Sequence, residues 1–314
     1  MPNKGFAHLH LHSEYSLLDG AISFSSLLKR CKALKMDSVA VTDHGNLFGV
    51  VDFYTKAKAV HIKPIIGIEA YLAPGSRLDR TKTSISDAAF HLILLAQNNT
   101  GYKNLLKLAS IGYTEGFYYR PRIDKEVLAE LNEGLICTSA CFKGEVAVAI
   151  ARGDEDAARS AVESYLKIFG PERYFIEIQS HQGDRPELVE GLVDLAKQMG
   201  LGLIATNDVH FLEADDHEAH NCLCAISTGK LATDADRLIY PPDVYLKSAD
   251  EMRELFAAHN EACDNTLAVA ERCNVELDLS SRHAPRFEPE DGSKPQDYLT
   301  KLCYEGAGRR YGEI

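Results

Sequence analysis

Residues 38–45 read SVAVTDHG and residues 203–210 read LIATNDVH, two short apolar runs that each end in an acidic residue with a histidine close behind it. Residues 6–13, FAHLHLHS, have the same character, with histidines alternating through the run. Nearly continuous apolar runs of this length are typical of strands that are buried on both faces of a parallel sheet. These stretches therefore predict an α/β fold with polar groups at the ends of its strands.

The same pattern repeats along much of the chain. Strand-like runs at 6–10, 38–42, 64–72, 91–96, 135–139, 174–179 and 203–207 alternate with helical patterns at 25–36, 47–60, 102–111, 154–169 and 186–199. Seven strands alternating with helices predict a parallel α/β barrel or a doubly wound sheet. Because His91 stands at the start of its run, and not at the end, we expect the strand at 91–96 to run antiparallel to the others.

The alternation stops after Asp208. Helical patterns follow at 215–227, 249–258 and 261–273, with a short apolar run at 244–246, and then a polar stretch leads to an amphipathic helix at 298–311. We therefore predict a first domain with a helical extension over 1–279, a linker over 280–296, and the start of a further domain, cut short, over 297–314.

Composition limits the classes of function. The chain has 314 residues, with 34 Lys and Arg against 46 Asp and Glu, so its formal net charge is −12. An acidic surface argues against nucleic-acid binding by the whole surface but leaves room for a local site built around cations. Eight cysteines are too few for a disulfide scaffold. No apolar run reaches the roughly 18 residues of a membrane span and no signal peptide is visible, so we expect a cytoplasmic protein without a membrane partner.

Metal-ligating residue types gather at the strand ends. The carboxyl ends of the predicted strands, or positions close to them, carry His10, His12, His44, Glu69, Asp208 and His210. Residues two apart in a strand share a face, so His10 and His12 can point into one site. Because functional groups of α/β folds collect at the carboxyl ends of parallel strands, several strands would bring these side chains to one rim. This convergence predicts a metal cluster.

His91 and Cys141 are candidates to complete that cluster, since Cys141 follows the fifth predicted strand by two residues. A thiolate beside imidazoles favours zinc or a similar metal over magnesium. Each residue alone also fits a structural explanation, as a hydrogen-bonded polar residue or a buried core cysteine. The joint pattern favours metal, because burying so many ionisable groups is costly without cations.

At these residues the sequence resembles a known family. HLHLHSEYSLLDG (8–20), TDHGN (42–46), GIEAY (67–71) and ATNDVHF (205–211) resemble the motifs of the PHP (polymerase and histidinol phosphatase) domain. More narrowly, AQNNTGY (96–102), GFYYRPRID (116–124) and VYLKS (244–248) resemble the N-terminal domain of bacterial DNA polymerase III alpha subunits. YLTKL (298–302) and EG (305–306) resemble the opening of the palm domain in that family.

The resemblance implies a distorted (β/α)7 TIM-like barrel, the PHP fold, with a C-terminal helical extension leading into a palm domain. It also implies three divalent metal ions, zinc and/or manganese with iron or magnesium as alternatives. Their ligands would be His10, His12, Glu69 and Asp208 for the first, Glu69, His91 and Cys141 for the second, and Asp19, His44 and His210 for the third. Asp208, His210 and Glu69 are the expected catalytic residues, and Asp43 is expected to orient an imidazole.

The implied activity is metal-dependent phosphodiester hydrolysis on a single-stranded 3′ end of DNA, a 3′→5′ exonuclease that proofreads during replication. Nucleotide transfer is expected of the intact polymerase subunit, whose other domains and replisome partners, such as the proofreading subunit or the sliding clamp, would contact this chain. Candidate DNA contacts are Arg77, Arg80, Arg120 and Arg122. Two alternatives remain open: a metal-stabilised structural module that docks a replication subunit, and a free-standing PHP phosphatase.

Overall fold

The computed structural model describes residues 5–81, 88–183, 186–282 and 284–312. The chain divides into two compact units, Met1–Glu276 and Leu277–Ile314. The first unit contains the strands and all but one of the described helices. The predicted domain limits at 279 and 296, and the assignment of 297–314 to a palm domain, stay predictions.

The first unit is built on one curled sheet. Its strands are β1 (Ser38–Val41), β2 (Lys63–Leu72), β3 (Phe90–Ala96), β4 (Phe117–Tyr118), β5 (Arg120–Ile123), β6 (Leu135–Thr138), β7 (Tyr174–Ile178) and β8 (Leu203–Ala205). The order is β4-β5-β2-β3-β6-β7-β8, and β1 pairs with β2. β3 runs antiparallel to both β2 and β6, as predicted, while β1–β2, β2–β5, β6–β7 and β7–β8 are parallel. The predicted α/β class is confirmed.

The predicted strand at 6–10 is not a regular strand in the structure. The segment 6–12 nevertheless joins the two ends of the curled sheet. On one side the Ala40 amide donates to the His8 carbonyl (2.8 Å), and on the other the Val209 amide, just after β8, donates to the His10 carbonyl (3.2 Å). A distorted barrel therefore forms from this extended segment and six strands: β1, β2, β3, β6, β7 and β8. Its seven members correspond to the seven strands that the sequence predicted.

A bend at His10 explains why the segment is irregular. Leu9 packs in the cluster inside the barrel, but Leu11 packs outside it, against the helices that flank β1. The inside-to-outside alternation of a strand is thus interrupted between these residues. The interruption lets His10 and His12 face one site, whereas the His8 ring contacts a backbone carbonyl elsewhere.

Helices cover the sheet and extend beyond it. They are α1 (Phe24–Ala33), α2 (Val50–Ala59), α3 (Asn99–Thr114), α4 (Lys125–Glu130), α5 (Glu145–Ala151), α6 (Glu155–Phe169), α7 (Pro186–Met199), α8 (His217–Thr228), α9 (Ala249–Leu255) and α10 (Asn260–Arg272). Side-chain caps fix several starts: Asn98 accepts from the Gly101 amide and Asp154 from the Ala157 amide. The limits of α7 are those predicted, while α4 and α5 were not predicted.

The second unit contains α11 (Pro295–Tyr311), which begins inside the predicted linker. Pro295 explains this early start, because proline is favoured at the first position of a helix. Among the described residues, no helix combines the length and the apolar character that crossing a membrane requires.

Candidate metal centre

Four of the predicted ligands form an inner group, which we define as His10, His12, Glu69 and Asp208. His10 Nε2 lies 3.1 Å from Asp208 Oδ1 and 3.4 Å from Glu69 Oε1. His12 Nε2 lies 3.2 Å from Asp208 Oδ1 and 3.4 Å from Glu69 Oε2. The segment 6–12, β2 and the turn after β8 thus direct four side chains into one small volume.

The second group, His91 and Cys141, meets the inner group through Glu69. His91 Nδ1 is 2.7 Å from Glu69 Oε1, and Cys141 Sγ is 3.7 Å from the same oxygen and 3.6 Å from His91 Nδ1. The antiparallel direction of β3 explains how His91 takes part, because the start of β3 lies at the edge where the parallel strands end.

The third group consists of Asp19, His44 and His210. His44 Nε2 lies 3.4 Å from Asp19 Oδ2, and the rings of His44 and His210 have centroids 6.0 Å apart. Nitrogen atoms of His12, His44 and His210 all lie within 4.8 Å of one another. The structure therefore brings all nine predicted ligands to one end of the barrel, with Glu69 in contact with residues of every group.

Unsatisfied buried atoms concentrate at this site. Within the described part of the chain, buried side-chain atoms without a hydrogen-bond partner include His10 Nε2, His12 Nε2, Asp19 Oδ1, Asp208 Oδ1 and His210 Nε2. Leaving such atoms unpaired is costly, and most buried polar groups in proteins have partners. Imidazole nitrogens and carboxylate oxygens pointing at one another are the donors that zinc or manganese binds. The residues present therefore fit divalent metal ions.

A second layer of side chains orients the inner group. Glu177 on β7 is buried, and its Oε1 lies 2.7 Å from His10 Nδ1 and accepts from Thr206 Oγ1 (2.5 Å) and Gln179 Nε2 (3.0 Å). Thr138 also donates to this carboxylate. Hydrogen-bonded carboxylates of this kind fix the ring orientation and the tautomer of a metal-binding histidine. Sequence reasoning missed Glu177, although a charged residue inside the apolar strand YFIEI is a visible signal.

Asp43 supports the His12 imidazole indirectly, through the hydroxyl of Ser16. The Ser16 hydroxyl donates to Asp43 Oδ1 (2.8 Å) and lies 2.9 Å from His12 Nδ1. Asp43 also accepts from the Ser13 amide (2.7 Å). The aspartate next to His44 in sequence therefore supports the His12 ring, by way of Ser16.

The third group has a supporting side chain, Tyr240, that could not be predicted from the sequence. The Tyr240 hydroxyl donates to Asp19 Oδ2 (2.8 Å), and the Tyr240 ring lies 4.4 Å from the His210 ring between centroids. Tyr240 belongs to the segment between α8 and α9, far from Asp19 in sequence and without regular structure. No local pattern marks such a contact.

Burial and neighbouring charges shift the pKa values at the site. Burial, reinforced by the positive charges of His44 and His210, lowers the pKa of His12 to about 3 and so favours the neutral, metal-binding imidazole. Burial also raises the pKa of the Cys141 thiol well above its usual value, and the Glu69 and Asp208 carboxylates add to that effect. Burial alone would raise the pKa of Glu69, but the surrounding histidines outweigh it and hold the pKa well below its usual value.

Backbone conformation also serves the site. Asp208 has a φ of 46°, in the left-handed region that aspartate tolerates better than most residues. Gly45, directly after His44, has a φ of 63°, and a Cβ there would approach Pro121 Cγ to 2.8 Å. The left-handed backbone of the ligand Asp208 fits the tendency of functional sites to hold strained residues, and the glycine after His44 adopts its positive φ without strain.

The predicted DNA contacts fall into different environments. Arg122 is only 1% exposed and donates to the carbonyls of Gly116, Ala88, Arg77 and Asp79, so nucleic acid has no access to it. The Arg77 guanidinium pairs with Glu115 (2.7 Å), Asp124 (3.1 Å) and Glu126 (3.2 Å). Both arginines therefore stabilise the loop between β2 and β3. Arg80 is exposed, and Arg120 stacks over the Tyr71 ring at 5.8 Å.

An open cleft reaches the metal centre from the surface. It has a volume of about 720 Å³ and is lined by ligands of the second and third groups, including His91 and His44. Three cationic side chains, Arg120, Lys143 and Arg152, line the same cleft. A chain with a net charge of −12 thus places positive charge beside its candidate metal centre.

Comparisons with known proteins give the chain a family. It is 41% identical to the DNA polymerase III subunit alpha of Treponema pallidum, over 100% of this chain and 27% of that protein. The corresponding subunit of Thermus aquaticus is 43% identical over 98% of this chain and 26% of that protein. The chain thus spans about a quarter of the length of these relatives.

Among solved structures, a protein from Bifidobacterium adolescentis assigned as a metal-dependent phosphoesterase aligns with a TM-score of 0.43 and 13% identity, over 67% of this chain and 89% of that chain. The sequence profile of the PHP domain matches residues 8–181, which is more than half of the chain. The chain belongs to the PHP domain family.

Proposed function

We propose that this chain is a metal-dependent phosphoesterase domain that hydrolyses phosphodiester bonds of DNA as a 3′→5′ exonuclease. The observation that carries the proposal is the convergence of buried imidazole and carboxylate atoms without hydrogen-bond partners behind an open cleft that Asp19, His44 and His91 line. Such a site is accessible to a phosphate group and equipped to bind cations.

The inner group would hold one metal ion, Glu69 with His91 and Cys141 a second, and Asp19 with His44 and His210 a third. When bound, divalent ions supply a Lewis acid that activates water and a positive charge that stabilises a leaving oxyanion. Zinc and manganese suit this donor set, since imidazole and thiolate ligands accompany the carboxylates. Asp208, Glu69 and His210 are the proposed catalytic residues, because each touches other ligands at the centre.

The protein's own charges explain why cations are needed for the substrate to bind. Asp19 lines the cleft, and Glu69 and Asp208 lie behind it against His10. Without cations these three carboxylates would repel a phosphate. Arg120, Lys143 and Arg152 lie along the cleft walls and would attract the phosphates that flank the reacting one. Arg120 is therefore retained as a proposed DNA contact. Arg77 and Arg122 are not retained, because their guanidinium groups are already bound within the protein.

The similarity to DNA polymerase III alpha subunits supports DNA as the substrate and proofreading as the purpose. Within such a subunit, the partners would be the other alpha domains and replisome proteins such as the proofreading subunit or the sliding clamp. Nucleotide transfer would belong to the remainder of that larger protein.

The test is the degradation of a 5′-labelled single-stranded oligonucleotide by this chain, loaded with zinc or manganese and then treated with a chelator. We expect a ladder of shortened products that requires metal and disappears in the Asp208→Ala variant. Asp215→Ala changes an exposed aspartate and should retain the ladder.

Absence of a ladder from folded, metal-loaded protein would contradict the exonuclease and favour a structural module. Hydrolysis of a phosphomonoester without cleavage of the oligonucleotide would favour a phosphatase.

A further inference from the structure

Exposed aromatic side chains stand beside the candidate metal centre. Phe48 is 60% exposed, Tyr113 42%, Phe117 50% and Tyr119 44%. The rings of Phe48 and Tyr113, and those of Tyr113 and Phe117, have centroids 6.2 Å apart. We call Phe48, Tyr113, Phe117 and Tyr119 the aromatic patch. Large aromatic side chains usually bury most of their surface, so a contiguous exposed set marks a binding surface.

The patch is rigidly built. Phe117 and Tyr119 are two residues apart in the β4–β5 hairpin and line the same pocket, whereas Tyr118 lies under the Arg122 guanidinium at 5.1 Å. Arg122 holds the hairpin by donating to the Gly116 carbonyl (3.1 Å) and to carbonyls of the preceding loop. Gly116 also allows its backbone to lie close to that of Arg122, since a Cβ at Gly116 would lie 1.8 Å from the Arg122 carbonyl oxygen.

The patch and the metal centre share one pocket. This pocket has a volume of about 180 Å³, and its lining includes the four aromatic residues together with Asp19, His44 and Arg120. Two members of the third ligand group therefore form one wall, and exposed rings form another. A molecule bound here would meet flat apolar surfaces, a cation and the candidate metal ligands at once.

That combination matches the chemistry of a nucleotide. We infer that the aromatic patch stacks bases of single-stranded nucleic acid next to the reacting phosphodiester, and this inference rests on the proposed function. Base stacking on aromatic side chains is tolerant of sequence and needs unpaired bases, so it selects single strands over duplexes. Stacking also suits a chain with a net charge of −12, because base contacts provide affinity without a wide basic surface.

A fluorescence experiment tests the stacking directly. The chain contains no tryptophan, so Phe117→Trp introduces a single reporter into the patch. The titrant is a single-stranded oligonucleotide whose phosphorothioate linkages slow hydrolysis, added to zinc-loaded protein. We expect saturable quenching, and none from an abasic oligonucleotide of the same length and charge. Leu255→Trp on α9, outside the pocket lining, should not respond.

Affinity measurements provide the second readout. Replacing Tyr113 and Phe117 by alanine should weaken binding of the normal oligonucleotide by roughly 5- to 150-fold for each base that loses its stacking partner. Binding of the abasic oligonucleotide should not change. Phe117→Tyr keeps an aromatic ring and should retain affinity, which separates stacking from general damage to the hairpin.

With ordinary phosphodiester linkages in both strands, the abasic oligonucleotide also separates this inference from the proposed function. If wild type cleaves both oligonucleotides and the alanine variant cleaves the abasic one at the wild-type rate but binds the normal one weakly, the inference stands. If the variant binds and cleaves the normal oligonucleotide like wild type, the patch serves another purpose, such as contact with a protein, and the inference is overturned. If wild type cleaves neither oligonucleotide, the proposed exonuclease itself fails.

Discussion

The inner and third ligand groups differ in how the protein supports them. The histidines of the inner group are completely buried, while the His44 side chain keeps 13% of its surface exposed; the carboxylates of Asp208 and Asp19 keep 17% and 11%. The inner group rests on buried side chains that contact its histidines, Glu177 on β7 and Ser16 in the turn after the segment 6–12. The third group depends on Tyr240, which lies in the irregular segment between α8 and α9.

This difference suggests that the inner and third groups bind metal ions with different affinities. Side chains with buried hydrogen-bonded supports lose little freedom when an ion binds, so the inner group is organised in advance. The third group owes part of its geometry to a segment without regular structure, and such segments are usually the less stable parts of a fold. We therefore expect the inner metal to bind more tightly than the third, and variants to affect the two sites unequally.

The largest effect should come from Glu69→Gln, which affects all groups together. The Glu69 carboxylate lies within 3.4 Å of His10 and His12 and contacts His44 (2.5 Å) and His91 (2.7 Å). Mutating a supporting residue outside the ligand shell costs about 10–100-fold in metal affinity or activity, so a change in the carboxylate shared by the groups should cost more than 100-fold. Metal content after dialysis against a weak chelator measures the loss, with hydrolysis of the oligonucleotide as a second readout.

The matched control for Glu69→Gln is Glu163→Gln, the same change at an exposed position on α6. Metal content close to that of wild type in Glu69→Gln would contradict the central position that we assign to this carboxylate.

An intermediate effect, confined to the inner group, is expected for Glu177→Gln. The substitution would remove the negative charge that faces His10 Nδ1 and would disturb the hydrogen bonds that Thr138 and Thr206 donate. We expect the affinity of the tightest-bound metal to fall by about 10–100-fold. Calorimetric titration of metal-free protein resolves this, because tight and weak sites separate along one titration.

If Glu177→Gln instead weakened only the more weakly bound ions, the distinction between the groups would be wrong. Circular dichroism of the metal-free variant should show an intact fold, so that lost affinity is not lost structure.

Much of the fold and most of the site could be predicted from the sequence. The apolar runs at 38–42, 64–72 and 203–207 are local signals, and they correspond to β1, β2 and β8 within a few residues. The direction of β3 followed from the position of His91 at its start. Predicted ligands converge because barrel topology brings strand ends together, whatever the details of packing.

Contacts that depend on packing were beyond reach. The bend at His10 arises from how Leu9 and Leu11 divide between two hydrophobic clusters. The basic sequence RPR made Arg122 a candidate DNA contact. Its burial against backbone carbonyls, however, follows from the path of a loop. Tyr240 reaches Asp19 across 221 positions of sequence. No local pattern encodes such distances.

The smallest effect should come from Tyr240→Phe, which tests the third group alone. The change removes the hydroxyl that donates to Asp19 Oδ2 but keeps the ring against His210. One hydrogen bond to a charged group contributes about 1.5–3 kcal/mol, and water can replace part of it at a partly exposed carboxylate, so we expect less than a tenfold loss for the weakest metal. The tightest site should titrate as in wild type. Tyr304→Phe, the same change at an exposed tyrosine on α11, is the control. A loss of metal affinity at the tightest site would mean that Asp19 and the inner group respond as one unit. Only a shared ion or a shared backbone movement could carry the effect of removing the hydroxyl that far.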